Sequence, residues 1–377
     1  ILTKFAFDMI PVFKPSLSLG DKASVLKSVF QNQISGTSPV VGEFEKKFSE
    51  YFGMKYGIAV SNGSVALDIS LQLLDLEEGD EVIVPSMTII SCLSAILRTK
   101  ATPVFCDVDI NTWNMRLEDV KECFSSKTKA VVMVHTYGLT ADINNILNFC
   151  KEKNLFIIED ASEAHGQSSE NHLCGAVGDI STFSFYANKH VTTGEGGMLL
   201  TNNKELALKA FQMRNLDFKS SQRFVHENLY WNYRLSGIQA SLGISQLTHL
   251  DKVIKKKIMQ GNFYTSLLEE HKDVIQTPLQ KHKDTQNHYW VYGVVIKNNK
   301  NARWVMDSLR EVGIETRPFF WPLHLQPLLP EKFRNNKNQL TNSELLGEKG
   351  LYIPIGNHLS KNKQEYIVNS LIKVLDK

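Results

Sequence analysis

Short apolar segments recur through the first two-thirds of this 377-residue chain. They are rich in valine, isoleucine and phenylalanine, as in "YGIAV", "EVIVP", "KAVVMVH", "LFIIED" and "ISTFSF". Segments with apolar residues at helical spacing, such as "EFEKKFSEYF" and "NNILNFCKEK", separate several of them. Continuous apolar strands that alternate with helices are typical of a mostly parallel sheet covered by helices on both faces. The pattern therefore predicts an α/β fold, with a large domain over residues 9–245.

The rest of the chain follows a different pattern. A long helix is predicted over residues 236–270, leading away from the sheet. Two strands follow, "HYWVYGVVI" and "IETRPFF", with the helical segment "NARWVMDSLREVG" between them. This favours a smaller α+β domain over residues 246–377. We interpret residues 1–8, which precede Met9, as an extension without a role in function.

Charge and cysteine content narrow the class of protein. The net charge is +2, so no strong field favours nucleic acid or an anionic membrane. We interpret the basic run at residues 252–257 as the solvated side of an amphipathic helix. The five cysteines are odd in number and form no CxxC pair, which indicates a reducing cytoplasm. No apolar stretch reaches the roughly 20 residues that a membrane-spanning helix needs.

One turn between a predicted strand and a predicted helix could bind an anion. In open parallel sheets, ligands bind beyond the carboxyl ends of the strands. The turn in "AVSNGSVALD" is formed by Ser61, Asn62, Gly63 and Ser64. Free backbone N–H groups and the helix dipole at such a turn suit a phosphate. A plain helix N-cap is the alternative interpretation.

A pair of carboxylates ends the strand in "LFIIEDASEAHG". Glu159 and Asp160 follow four apolar residues, and burying them costs free energy unless a positive group pairs with them. A protonated heterocycle would satisfy one of them, and so would a metal ion. The side chains of metal-ligand type near this segment and in the preceding strand are Asp160, Glu163, His165 and His135. No spacing among them matches a motif such as HExxH, and an N-cap of the next helix stays open as well.

A lysine follows the strand "ISTFSF" and precedes the glycine-rich segment "TTGEGG". A lysine held against apolar walls has a lowered pKa, and it can form a Schiff base with an aldehyde. Ser184, on the predicted strand that precedes Lys189, could donate to a phosphate. A surface lysine whose stem alone is covered is the alternative. Because the glycines open a strand rather than a helix, a dinucleotide fold and a P-loop are disfavoured.

One ligand would use all three features together. Pyridoxal phosphate (PLP) needs a lysine for its aldehyde, a carboxylate for its pyridine nitrogen and a helix N-terminus for its phosphate. Lys189, Asp160 and the turn at residues 61–64 supply these groups. The combination predicts a PLP site and no metal.

Several segments resemble the DegT/DnrJ/EryC1/StrS family of nucleotide-sugar aminotransferases, from about Met9 to the C-terminus. They include "VSNGSVALDISL", "GDEVIVPSMT", "IIEDASEAHG", "GDISTFSFYANKHVTTGEGGMLLTN" and "NYRLSGIQASLGISQL". The resemblance implies a type I aminotransferase fold and a homodimer with shared active sites. It also implies amino transfer from L-glutamate to a keto-sugar nucleotide. Within the family, the chain is most similar to enzymes that act on GDP-4-keto-6-deoxymannose; a UDP- or dTDP-linked 3- or 4-keto sugar is the alternative.

The resemblance assigns roles to residues around the cofactor. Lys189 and Asp160 would be catalytic: Lys189 forms the Schiff base and moves a proton during the reaction, and Asp160 partners the pyridine nitrogen. Glu163 would lie near the cofactor's 3-hydroxyl group. The phosphate ligands would come from Ser61, Asn62, Gly63, Ser64 and Ser184, and from Asn232 of the neighbouring subunit. Relatives that dehydrate sugars carry histidine at the lysine position, so Lys189 favours amination and leaves His190 without a chemical role.

The resemblance also points to residues at the sugar end of the site. His324, in "RPFFWPLH", matches a histidine near the sugar, and Arg317 lies in the same segment. Ile89 stands where similar enzymes carry an aromatic residue near the cofactor, and it keeps apolar cover without stacking. Gln33 stands where they often carry tryptophan. We expect these four side chains at the substrate side or the edge of the active site.

Two other functions fit part of the pattern. A non-catalytic PLP-binding regulator could use the same fold, although retention of Lys189, Asp160 and the phosphate turn argues against lost chemistry. A metal-dependent hydrolase could use Asp160, Glu163, His165 and His135. The aminotransferase hypothesis is preferred because it explains all the features at once.

Overall fold

A seven-stranded sheet forms the centre of the computed structural model, which describes residues 9–169, 172–218, 223–333 and 339–377. Residues 1–8, interpreted above as an extension, lie outside the described residues. The strands of the large sheet are β1 (Tyr56–Val60), β2 (Glu81–Pro85), β3 (Thr102–Cys106), β4 (Thr128–Val134), β5 (Phe156–Asp160), β8 (Ile180–Ser184) and β9 (Gly197–Thr201). A small separate hairpin between β5 and β8 consists of β6 (Ser168–Ser169) and β7 (His172–Leu173).

The order across the large sheet is β1-β9-β8-β5-β4-β2-β3. The neighbours from β8 to β3 are parallel, and β9 is antiparallel to both β8 and β1. The predicted mostly parallel sheet is therefore confirmed. Because β1 runs in the same direction as β8, the carboxyl ends of six strands lie at one edge.

Alternate residues of each strand pack on opposite faces of this sheet. In β4, Val131 and Met133 belong to one apolar cluster, while Val132 and Val134 belong to another. In the same way, Ile157 and Ile158 of β5 pack in the first and the second cluster. Because side chains alternate with a period of two, the next two residues of β5, Glu159 and Asp160, also point to opposite faces.

Helices cover both faces, and several begin at a side chain that accepts a backbone N–H bond. Asn62 caps α3, Ser236 and Gln239 form a capping box at α8, and Ser360 caps α12. The helices are α1 (Leu19–Phe30), α2 (Pro39–Tyr51), α3 (Gly63–Gln72), α4 (Ile90–Leu97), α5 (Leu117–Cys123), α6 (Ile143–Lys153), α7 (Lys204–Arg214), α8 (Gly237–Leu247), α9 (Leu250–Leu267), α10 (Ala302–Glu311), α11 (Thr341–Lys349) and α12 (Lys361–Leu375).

The long helix predicted over residues 236–270 is wrong in one respect. The chain forms two helices there, α8 and α9, with a break at Thr248 and His249. The solvated interpretation of the basic run holds for Lys252 and Lys255, which are exposed on α9. It fails for Lys257, which is partly buried and donates a hydrogen bond to the Trp290 carbonyl.

A four-stranded antiparallel sheet follows α9, in the order β10-β13-β15-β14. Its apolar side packs with α9, α10 and α12, and Ile10 joins that cluster from the start of the described chain. The boundary at residue 245 stays a prediction. Among the described residues, every helix falls short of the length or the hydropathy that a membrane span requires. The strands of this part, including a hairpin of β11 and β12, are β10 (Ile275–Gln276), β11 (Lys281–His282), β12 (Thr285–Gln286), β13 (Tyr292–Ile296), β14 (Arg317–Pro318) and β15 (Gly350–Ile353).

Candidate active site

A cavity of about 490 Å³ lies at the carboxyl ends of the parallel strands. Its polar wall comes from residues at or just after the ends of β1, β5 and β8. Three aromatic side chains close it from the other side: Trp290 before β13, Phe320 after β14 and Tyr352 of β15. Of the residues predicted from the sequence, it brings together Asn62, Gly63, Ser64, Ile89, Asp160, Glu163, Ser184 and Lys189.

Lys189 is a buried lysine that points into this cavity. Its side chain is 9% exposed, and its Nζ lies 3.6 Å from Oε1 of Glu163. The Nζ also lies 3.7 Å from the centroid of the Trp290 ring, in a cation–π contact. Burial lowers the pKa of Lys189, although Glu163 and Asp160 oppose this effect. The surface-lysine alternative is wrong, and burial shifts the pKa of this lysine downward, toward its unprotonated form.

Glu163 is held between a backbone amide and the lysine. Its Oε2 accepts a 3.0 Å hydrogen bond from the Tyr137 amide. Burial raises the pKa of Glu163 to about 7, against the pull of the Lys189 ammonium. At neutral pH, this carboxyl therefore lies near the midpoint of its own titration, where it can either accept or supply a proton.

Asp160 ends β5 on the cavity side of the sheet. Oδ1 accepts a 3.0 Å hydrogen bond from the Ser162 amide and lies 3.5 Å from Oγ1 of Thr182. The Cys92 thiol, on α4, donates to Oδ2 over 3.7 Å. Burial and the nearby Asp160 raise the pKa of Cys92 well above its usual value, so it stays a thiol donor. The carboxylate is thus oriented by one backbone amide and by two longer contacts, with Thr182 and Cys92.

The turn before α3 lines the same cavity as this carboxylate. Asn62 Oδ1 accepts a 2.9 Å bond from the Val65 amide, so the N-cap interpretation of Asn62 is confirmed. Gly63 packs so closely that a Cβ there would lie 2.7 Å from Cβ of Ser184. Ser64 Oγ lies 2.6 Å from Oγ of Ser91 at the start of α4. The first amides of α3 and three hydroxyl groups therefore meet at one corner, which suits a phosphate.

Comparisons with known proteins decide the family. The sequence profile of the DegT/DnrJ/EryC1/StrS aminotransferase family matches residues 20–372. The chain belongs to this family. It is 36% identical to the GDP-perosamine synthase of Escherichia coli O157:H7, over 96% of this chain and 97% of that protein. It is 32% identical to the Vibrio cholerae protein of the same name, over 96% and 98% of the two chains.

A solved structure gives the same result for the fold. The aminotransferase TlmJ from Streptoalloteichus hindustanus superposes with a TM-score of 0.91 at 28% identity. The match covers 98% of this chain and 99% of that one. The predicted type I fold and the PLP-dependent aminotransferase activity are confirmed, and the hydrolase and the regulator are set aside.

The residues of this aminotransferase fit its cofactor. One lysine, Lys189, and a carboxylate, Asp160, line the same cavity as the amides and hydroxyl groups at the start of α3. PLP, when bound, supplies an electron sink for the carbanion formed during amino transfer. Lys189 would hold its aldehyde carbon, Asp160 its ring nitrogen, and Gly63, Ser64 and Ser184 its phosphate; these individual roles stay predictions.

Two residues predicted near the cofactor do not line the cavity. The Ser61 amide donates to the Tyr233 carbonyl over 2.8 Å, at the base of the turn. Asn232 is exposed, and its Oδ1 accepts a 3.3 Å bond from the Arg234 amide. An exposed position agrees with a role in a neighbouring subunit, and that role stays a prediction. By contrast, Ile89 lines the cavity and is 37% exposed, so its side chain is free to cover a ligand.

The three other residues predicted at the sugar end also lie outside the cavity. Oε1 of Gln33 accepts a 3.2 Å bond from the Val40 amide. Arg317 is exposed and pairs with Glu315 over 2.6 Å. His324 is buried, with Nδ1 2.7 Å from Ser86 Oγ and Nε2 3.1 Å from Glu344. Each of these three side chains is therefore paired with a neighbour outside the cavity.

The four side chains considered as metal ligands do not gather in one place. Among the described residues, the group with metal-ligand spacing is His135, Glu159 and Cys174, all buried. Within it, His135 Nδ1 accepts from the Ala141 amide, so Nε2 carries the proton and donates to Glu159 over 2.9 Å. Asp160 and Glu163 face the cavity instead. His135 is thus a hydrogen-bonded partner of Glu159, apart from Asp160 and Glu163.

Sequence reasoning missed several side chains that shape the cavity. Trp290, Tyr186 and Tyr352 line it, although their segments read as strands and loops of ordinary composition. Tyr186 lies three residues before Lys189, so its proximity could have been predicted from the sequence. Trp290 and Tyr352 come from the C-terminal part of the chain, and no local pattern could have indicated their approach to Lys189.

Proposed function

We propose that this aminotransferase transfers the amino group of L-glutamate to C4 of GDP-4-keto-6-deoxymannose, which yields GDP-perosamine. The proposal is supported by the similarity to GDP-perosamine synthases along 96% of the chain. The observation that carries the chemistry is the buried Lys189 amine beside Glu163 in a cavity that ends at Asp160. A UDP- or dTDP-linked keto sugar is the alternative substrate.

Three ionisable side chains of the cavity, Lys189, Asp160 and Glu163, have tasks in this reaction. The lowered pKa of Lys189 lets its amine take a proton from the donor's α-carbon and return it to the product side. The Asp160 carboxylate would hold the ring nitrogen of the cofactor and favour its protonated form. Glu163, 3.6 Å from the lysine, stabilises the ammonium form that follows proton uptake. The aromatic wall of Trp290, Phe320 and Tyr352 excludes water from these transfers.

A side-by-side product analysis tests the substrate. The purified enzyme is incubated with L-glutamate and either the GDP-linked or the UDP-linked 4-keto-6-deoxyhexose, and the amino sugars are identified by mass spectrometry and NMR. We expect the GDP-linked amino sugar to form at least tenfold faster. Faster turnover of the UDP-linked sugar would overturn the substrate and leave the family membership intact.

We further propose that the active enzyme is a homodimer with shared active sites. Large apolar side chains are exposed at α1 and in residues 223–232, among them Phe30 at 83% and Leu229 at 99%. Exposed apolar groups of this number are typical of a surface that another chain covers. The five cysteines are buried free thiols, which favours our proposed cytoplasmic location, where the product would supply O-antigen or a related polysaccharide.

Complementation tests the shared site. Lys189→Ala removes the amine from one site, and Asn232→Leu removes the amide expected to reach the neighbouring site. We expect each variant alone to lose nearly all activity and a co-refolded mixture to regain about a quarter of it, because half of the chains pair as heterodimers with one intact site. Full activity of Asn232→Leu alone, or a monomer in sedimentation, would contradict the shared site.

A further inference from the structure

Lys257 is a basic residue of α9 whose side chain lies near Lys189. It borders a small cavity of about 60 Å³, whose wall also includes Lys189 and His190. Among the described residues, Lys257 forms no ion pair, whereas Lys252 and Lys255 of the same helix are exposed to water. Burial lowers the pKa of Lys257 to about 7, and Lys189 adds to this effect. A side chain placed at such cost calls for a structural reason.

Its contact is with the residue that touches Lys189. The Lys257 Nζ donates a 2.6 Å hydrogen bond to the carbonyl oxygen of Trp290. The centroid of the Trp290 ring lies 3.7 Å from the Lys189 Nζ. One residue therefore connects the two amines, with its backbone bound by Lys257 and its ring against Lys189.

Trp290 needs such an anchor. It lies two residues before β13, so its carbonyl is outside the ladder of the small sheet. Its indole Nε1 is buried without a hydrogen-bond partner among the described residues. The ring itself is held by stacking against Tyr137, at 5.9 Å between centroids, and Phe320, at 6.5 Å. Stacking restrains the tilt of the ring, whereas the Lys257 bond restrains the backbone from which the ring projects.

We propose that Lys257 is a positioning residue for Lys189, and that it acts by fixing Trp290 so that the indole face holds the Lys189 amine. The inference rests on the proposed role of Lys189 as the lysine that carries the cofactor. It concerns this chain's own residues and adds a helix of the C-terminal part to the machinery of the large sheet.

The sign of the effect separates this role from a direct effect of charge. The indole face stabilises the protonated amine, so a displaced Trp290 would lower the pKa of Lys189. Loss of the nearby Lys257 ammonium alone would raise it, because a like charge has been removed. The ionisable groups that face Lys189 are Glu163, Asp160, His165 and Lys257. Those that face Lys257 are Lys189, His190 and His358. A Lys257 variant also removes a like charge from the surroundings of His190 and His358, whose pKa values Lys257 lowers.

The experiment measures cofactor capture by the full-length enzyme after its cofactor has been removed. Pyridoxal 5′-phosphate is added from pH 6 to 10, and the rate is followed by absorbance, since only the unprotonated amine reacts. For Lys257→Met, we expect the pH midpoint to fall by about half a unit. Lys255→Met, a matched change on the exposed side of α9, leaves the midpoint unchanged.

A double-variant comparison completes the test. Trp290→Leu lowers the midpoint by about one unit, and adding Lys257→Met to it causes no further shift. A rise of the midpoint in Lys257→Met, an unchanged midpoint, or an additive shift in the double variant would each overturn the proposal. Lys189→Ala serves as the separate check: covalent capture by that variant would refute the role of Lys189 rather than that of Lys257.

Discussion

Glu159 and Asp160 are neighbours on one strand, yet they belong to two different environments. Glu159 is completely buried and accepts five hydrogen bonds, from His135, Gly175, Val177, Gly178 and Ser181. Burial raises the pKa of Glu159, but the bonds from His135 and the other donors outweigh this and lower it. Asp160 has one backbone donor, a long contact with Thr182 and a thiol.

The difference shows how a fold separates structural from chemical carboxylates. A buried charge whose lone pairs are all filled holds several loops together and has nothing left to offer a ligand. A carboxylate with open acceptor capacity at a cavity can meet a cationic group that arrives later. Adjacent positions on a strand give the two roles because their side chains leave opposite faces of the sheet.

Asp160→Asn has the largest expected effect, and it tests whether Asp160 serves the reaction rather than the fold. We expect amino transfer to slow by about a thousandfold, because a neutral amide no longer favours the protonated ring nitrogen. The free energy of unfolding should change by less than about 1 kcal/mol, since Asn keeps an oxygen for the Ser162 amide. Steady-state kinetics and urea unfolding measure the two effects. Unchanged kcat would place the ring-nitrogen partner elsewhere.

Glu159→Gln is the matched change on the other face. It leaves His135 and several buried amides without a carboxylate, so we expect a loss of about 3 kcal/mol in the free energy of unfolding. The variant should keep kcat within about twofold at a temperature where it is folded. A stable variant with a large loss of kcat would mean that Glu159, not Asp160, serves the reaction.

The sequence was informative where local pattern and chemistry coincide. Apolar strands, the Asn62 cap and the position of Lys189 after a strand could be read locally, because each depends on neighbours in sequence. The pairing of Glu159 with His135 could not, since it requires the register of β4 against β5. The same holds for Trp290, whose contact with Lys189 spans the two parts of the chain.

Helix α9 shows a second kind of limit. The alternation of basic and apolar residues at 252–257 predicts a solvated face, and Lys252 and Lys255 follow it. Lys257 departs because the long side chain can turn under the helix to reach a carbonyl group. Periodicity specifies the direction of Cβ, but not the end of a four-carbon stem.

Glu163→Gln tests a carboxyl group of the cavity through the pH dependence of the free energy of unfolding. Burial raises the pKa of Glu163 from 4.5 to about 7, so the folded chain binds more protons than the unfolded chain between these values. The free energy of unfolding of the cofactor-free protein should therefore fall by about 2 kcal/mol from pH 5 to pH 7.5. Glutamine removes this slope, and denaturant unfolding at several pH values measures it. Parallel curves for both proteins would contradict the raised pKa.

Ile89→Phe has the smallest expected effect, and it changes only the apolar cover of the cavity. Ile89 covers the cavity without stacking, and it forms no side-chain cap for α4. A phenyl ring at a 37% exposed position should fit without strain, leaving the free energy of unfolding within about 0.5 kcal/mol. Ring stacking should tighten PLP binding by about three- to tenfold, measured by fluorescence titration of the cofactor-free enzyme. Ile89→Leu, which adds no ring, is the control; equal affinities of the two variants would show that Ile89 does not lie against the cofactor.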